Sequence, residues 1–207
     1  MTVLDTSVPH HPVLMVLGPH EPVRDAPLAP GYHFEPWNDS YKDAWARLHV
    51  ALGQLPSLEE GASYFERTYE TDRDALARQM ILVCDDAGNL AGTSSLWPGD
   101  HFGESRLRVH WVGVSPHHQR RGLARALVLE SVRLYDKLVP SGEPPLYLTT
   151  QTESWVACGM YRKLGFVPYR GPMPPNFGSD PETFCDKNDE AWRLIDDRLR
   201  NCARSPR

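Results

Sequence analysis

Between Val114 and Leu127 the chain reads VSPHHQRRGLARAL, and Gln119 to Ala124 fit the spacing Q-x-x-G-x-A. Arg120, Arg121 and Arg125 surround a single glycine, Gly122, where an apolar run gives way to a helical pattern. A glycine there lets backbone come close to a ligand, and the first N–H groups of the following helix lack intrahelical partners. Those donors and the positive end of the helix dipole suit a pyrophosphate; arginine adds forked donors that match phosphate oxygens. The implied chemistry is the anchoring of a nucleotide-bearing ligand. From six residues alone, an ordinary glycine turn with a solvated arginine face is equally open. A Walker loop and a three-glycine dinucleotide fingerprint are poor matches, because Gly122 stands alone and Ala124 takes the next small position.

The elements that must position this turn are legible on both sides. Leu107 to Val114 is short and rich in β-branched and aromatic residues, so it is expected as a strand; Leu123, Ala126, Leu127, Leu129, Val132, Leu134 and Leu138 recur at helical spacing. Upstream, Met1 to His11 is expected to be mobile, Val13 to Leu17 reads as a short strand, and the proline-rich stretch Pro19 to Pro30 cannot be helical. A strand near Tyr32 to Glu35 and a helix from about Asp39 to Leu52 follow, with Trp45, Leu48, Ala51 and Leu52 as its apolar stripe. Ser57 and Glu60 form a capping-box pattern for a helix running toward Glu70. Met80 to Cys84 and Leu90 to Trp97 flank a polar glycine-bearing loop and read as a β-hairpin. After a proline-broken loop at Pro140 to Pro145 come a strand at Leu146 to Thr150, a helix from Trp155, and a strand near Val167 to Tyr169. Gly171 to Cys185 reads as irregular, and a last helix is expected from about Lys187 to Leu199, packed on the domain or on a second subunit.

Composition narrows the function classes. A chain of 207 residues can hold one substantial α/β core with extensions. A net charge of −5 argues against a general nucleic-acid surface, and no apolar run approaches the ~20 residues of a membrane span. With no secretory leader pattern, the cytoplasm is the expected compartment. Cys84, Cys158, Cys185 and Cys202 are widely separated and form no CxxC pair, so reduced structural thiols are expected. His10-His11 and His117-His118 lack the i, i+4 helical pairing or cysteine partners of zinc sites, and no metal is expected.

The turn resembles motif A of the GNAT superfamily of acyl-CoA N-acyltransferases, written Q or R, x, x, G, x, G or A. A second run, WVACGMYRKLGFVPY from Trp155 to Tyr169, resembles the superfamily's motif B, with Ala157, Tyr161 and Leu164-Gly165-Phe166 in register. The runs LRVHWVGVSP and LYLTTQTESW also resemble a group of bacterial acetyltransferases, and the likeness covers roughly Val13 to Arg170. The resemblance implies an α/β (α+β) GNAT fold, a mixed central sheet of about six to seven strands flanked by helices and splayed between its fourth and fifth core strands. It implies acetyl-CoA as donor, held by main-chain groups of Val112, Gly113 and Val114 and by Gln119, Arg120, Arg121, Gly122, Leu123, Ala124 and Arg125. Ser154 stands where motif B commonly begins with Asn, and a serine there can cap the helix. Tyr161 matches the tyrosine that meets the coenzyme sulfur as general acid. His110 lies where some members carry a base, and an ordinary imidazole pKa near ~6.5 suits the role; a satisfied half-buried histidine is equally open. Arg108 stands where other members carry a glutamate base.

The expected organisation is a proline-rich arm over residues 1–30, an acetyltransferase domain over 31–170, and a C-terminal loop and helix over 171–207. The expected activity is acetyl transfer from acetyl-CoA to a primary amine of a small molecule or peptide, by direct attack in a ternary complex. A monomer or homodimer without nucleic-acid or membrane partners is expected. The rival class is a non-catalytic acyl-CoA-binding sensor or regulatory module.

Overall fold

The computed structural model describes residues 4–178 and 180–204. The strands are β1 (Pro12–Leu17), β2 (Tyr32–Glu35), β3 (Met80–Asp85), β4 (Leu90–Gly99), β5 (Arg106–Val114), β6 (Tyr147–Gln151) and β7 (Phe166–Pro168). The helices are α1 (Lys42–Ala51), α2 (Leu58–Tyr69), α3 (Arg73–Gln79), α4 (Leu123–Leu138), α5 (Trp155–Lys163) and α6 (Phe184–Arg204). The strands join one mixed sheet in the order β2-β3-β4-β5-β6-β1-β7. Two compact units divide the chain, and β4 and β5 each run through both.

The first unit is built mainly from Pro22–Trp97 and Val109–Pro140. There β2 pairs antiparallel with β3, Tyr32 opposite Asp85, and β3 pairs antiparallel with β4, Met80 opposite Ser95. Successive strand side chains point to opposite faces, and β3 is buried on both. Met80 and Leu82 enter a cluster with Trp45, Phe65, Tyr69 and Leu76 from the helices before it, while Ile81 and Val83 meet Leu123 and Leu127 of α4. This explains the continuous apolar run MILVC. Ser57 caps α2 by accepting the Glu60 N–H (3.1 Å), as its spacing predicted. α3 was not anticipated; Asp72 caps it, accepting the Ala75 N–H at 2.8 Å.

The second unit comprises Asp5–Glu21, Pro98–Arg108 and the residues from Ser141 on. Here β1 lies between β6 and β7, antiparallel to both, with Val13 opposite Thr150 and Val16 opposite Val167. The expectation that the leader is mobile is corrected for Asp5 to His11, while residues 1–3 lie outside the described residues. Asp5 N–H donates to the Glu153 carbonyl (3.0 Å), Trp155 Nε1–H donates to Asp5 Oδ2 (2.9 Å), and Thr152 and His11 exchange main-chain and side-chain bonds. The last helix is also longer than its apolar stripe suggested. α6 packs on α5 and β1, and Leu199 Cδ2 comes so close to Gly159 that a Cβ there would lie 2.6 Å away. No described helix is long and apolar enough to cross a membrane.

Candidate active site

The strand-turn-helix of the first unit gathers most of the sequence-predicted residues. Pro116–His118 form a single 3-10 turn after β5, and α4 begins at Leu123. Gly122 takes the left-handed conformation, φ +78, at the helix N-cap, and Arg120 is left-handed as well, φ +61. A Cβ built on Gly122 would meet no atom within 4 Å, so space is open beside it. The first helical bond runs from Ala126 N–H to the Gly122 carbonyl. The N–H groups of Leu123, Ala124 and Arg125 therefore precede the ladder, and no side chain caps them at Gly122. Arg120, Arg121 and Arg125 are exposed.

Two motif residues serve the turn itself. Gln119 donates its side-chain amide to the Val114 carbonyl (3.1 Å), which ties the turn back to the end of β5. Tyr32 and His118 hydrogen-bond (Oη to Nδ1, 2.9 Å) with their rings edge to face, and the Arg121 guanidinium lies 5.8 Å from the Tyr32 ring centre.

On β5, Val112, Gly113 and Val114 are buried, and their course is set by Trp111, whose φ of +49 is left-handed in mid-strand. A bulky residue holds such a conformation, at a cost of about 1–3 kcal/mol, only when its surroundings enforce it. Here the indole packs against Trp45, His49 and Tyr64, and Thr93 Oγ1 donates to the Trp111 carbonyl (3.3 Å). The next tight point is Gly113, where a Cβ would lie 2.6 Å from Leu48 Cδ2 and 2.9 Å from His49 Cε1. Gly113→Ala is expected to destabilise the protein by about 1–3 kcal/mol, read as a lower urea midpoint; an unchanged midpoint would mean that α1 can retreat.

His110 is 8% exposed and meets two phenols of α2. Tyr64 Oη lies 3.1 Å from Nε2 and Tyr69 Oη 3.0 Å from Nδ1. Tyr69 Oη also meets Ser95 Oγ (2.9 Å), and Ser95 donates to the His110 carbonyl (3.2 Å). None of these three partners was picked out from the sequence. A second buried histidine, His49, hydrogen-bonds with Gln54 (2.5 Å) and Thr93 (3.0 Å), and burial pushes its pKa down to about 4.

The motif B residues belong to the second unit. Tyr161 lies on α5, 4% exposed, with its ring 6.0 Å from that of Phe166. Burial pushes its phenol well above the ordinary range, and the neighbouring Cys158 adds to the effect. Ser154 holds the N-cap position of α5 and is buried, but its side chain makes no capping bond, which corrects the expected cap. In the same unit Arg108 lies beside Tyr147 and His101, and its charge holds the His101 pKa down after the larger effect of burial. Among the described residues, no group of three or more His, Cys, Asp or Glu could hold a metal ion.

The strand, the Gly122 turn and α4 all lie within the stretch that a family model matches. The chain belongs to the acetyltransferase (GNAT) family, whose model matches residues 33–166. It is 28% identical over 142 residues to mycothiol acetyltransferase of Arthrobacter sp. (strain FB24), an alignment covering 67% of this chain and 40% of that protein. The fold is similar to that of a GCN5-related N-acetyltransferase from Sphaerobacter thermophilus, with TM-score 0.61 and 20% identity over 78% of this chain and 49% of that one. It is also similar to a tandem GNAT protein from the clavulanic acid biosynthesis pathway, with TM-score 0.57 and 19% identity over 80% and 52% of the two chains. This chain thus spans about two fifths of the length of the curated relative it matches.

Proposed function

We propose that this protein transfers acetyl from acetyl-CoA to a primary amine of a small molecule or peptide, by direct attack and without a covalent enzyme intermediate. The observation that carries the reading is the mouth of α4. Three N–H groups outside the helical ladder, open space at Gly122 and three exposed arginines fit a pyrophosphate. Leu123, Ala124 and Arg125 would hold it through their N–H groups, and the main chain of Val112 to Val114 would hold the pantetheine arm. Bound acetyl-CoA supplies a thioester carbonyl open to attack by an amine. His110 takes up the proton that the ammonium must lose, and Tyr161 Oη gives its proton to the departing sulfur.

The test is thermal unfolding with acetyl-CoA. At ~100 times its dissociation constant the ligand adds about 2.7 kcal/mol, a rise of about 5 to 10 °C for a chain of this size. No rise at millimolar ligand would remove the coenzyme site. A rise without thiol release on adding a panel of primary amines would leave a coenzyme-binding module without transfer chemistry.

A further inference from the structure

The hydrogen bonds around His110 have one self-consistent direction. Ser95 has a single hydroxyl proton and donates it to the His110 carbonyl. Toward Tyr69, Ser95 Oγ can therefore only accept, so the Tyr69 hydroxyl proton points at Ser95. Tyr69 Oη then has no proton left for the imidazole and accepts from Nδ1–H. A neutral imidazole protonated at Nδ1 carries its lone pair at Nε2, which faces the Tyr64 hydroxyl at 3.1 Å. The two phenols are unequal in exposure: Tyr69 is fully buried, whereas Tyr64 is half-buried.

We propose that Tyr64 relays the proton between the acceptor amine and His110, whose base nitrogen is Nε2. The proposal rests on the acetyltransferase reading above. In the step, an N–H bond of the acceptor ammonium breaks and its proton joins Tyr64 Oη, while the Tyr64 O–H bond breaks and that proton joins His110 Nε2. The tyrosine ends neutral, the amine ends with a free electron pair, and His110 ends as imidazolium. The positive charge is stabilised from Nδ1–H through Tyr69 and Ser95 to the His110 carbonyl, a chain in which each donor already points the required way. The two phenols from α2 and the Trp111 indole from its own strand face the ring, and Ser95 from β4 lies behind Tyr69, bonded to its hydroxyl.

Two measurements on the whole protein test this. The nitrogen shifts of the His110 ring, assigned by their loss in His110→Gln, are expected to show a protonated Nδ1 and a bare Nε2 at neutral pH. The opposite tautomer would overturn the relay, because the lone pair would then face buried Tyr69. Second, with acetyl-CoA and an amine that gives thiol release in the parent protein, Tyr64→Phe is expected to lower kcat by ~10²-fold with KM for acetyl-CoA unchanged. That loss should shrink as pH rises toward the amine's own pKa, since a deprotonated acceptor has no proton to relay. A loss that is the same at every pH, or no loss, overturns the relay while leaving the acetyltransferase reading in place. Absence of the acetyl-CoA thermal rise, or of thiol release with every amine, strikes that reading itself, and the relay falls with it.

Discussion

Tyr161→Phe is expected to slow thiol release from acetyl-CoA by ~10²-fold or more while leaving the acetyl-CoA thermal rise nearly intact. The substitution removes one hydroxyl from a ring that is 4% exposed and set against Phe166, so the apolar contacts of the ring persist. Burial holds the phenol proton far more tightly than in water. Tyr161 is consequently neutral across the working pH range and has a proton to give. A departing thiolate needs that proton only as the thioester bond breaks, and a group acting only then affects turnover and not binding. The local frame supports a fixed position: Leu164 N–H donates to the Tyr161 carbonyl (3.0 Å), and Gly165, at φ +93, turns the chain from α5 into β7. Unchanged turnover in Tyr161→Phe would remove the residue from the acid role. A lost thermal rise with slow turnover would instead place the hydroxyl in coenzyme binding.

The parts of this molecule that were legible in the sequence are those that local periodicity encodes. The strand, turn and helix around Gly122 could be read because an apolar strand, a glycine and a 3.6-residue repeat follow one another within one short run. The hairpin of β3 and β4 was legible for the same reason. α3 escaped because its seven residues, RDALARQ, are too short to establish a repeat. The leader escaped for a different reason: its order comes from Glu153, Thr152 and Trp155, more than a hundred residues away, and polar tethers of that kind leave no mark on composition. The site divides along the same line. His110 and Tyr161 are proposed from their place in motifs, but the hydroxyls grouped around His110 lie 46, 41 and 15 residues from it. Trp111 shows the limit most clearly. No local rule selects a left-handed tryptophan in a strand, because what enforces it is the packing of Trp45, His49 and Tyr64 around the indole.

That packing makes stability depend on pH through His49. In the unfolded chain its imidazole takes up a proton near the ordinary pKa of 6.5, whereas in the folded protein burial holds it neutral down to about 4. Between those values the unfolded state binds more protons than the folded one, so stability falls as pH falls. His49 contributes its full share above pH 6.5 and loses it on the way down to about 4, a change of about 3 kcal/mol. His101, which burial also holds below its ordinary pKa, adds in the same direction. Urea midpoints measured from neutral pH to about pH 4 should therefore drop steeply, and His49→Gln should flatten that slope even though it lowers the midpoint at neutral pH. An equal slope in the variant would assign the acid sensitivity elsewhere. The consequence reaches the site, because His49 holds Thr93 at 3.0 Å and Thr93 donates to the Trp111 carbonyl. A protonated His49 would need room and water in a space filled by Trp45, Trp111 and the bare Gly113. The left-handed turn at Trp111 should therefore loosen before the rest of the sheet unfolds. Amide exchange at Val112 and Gly113 should accelerate on acidification ahead of β3, and uniform acceleration along both strands would show that His49 supports the fold as a whole instead of this corner.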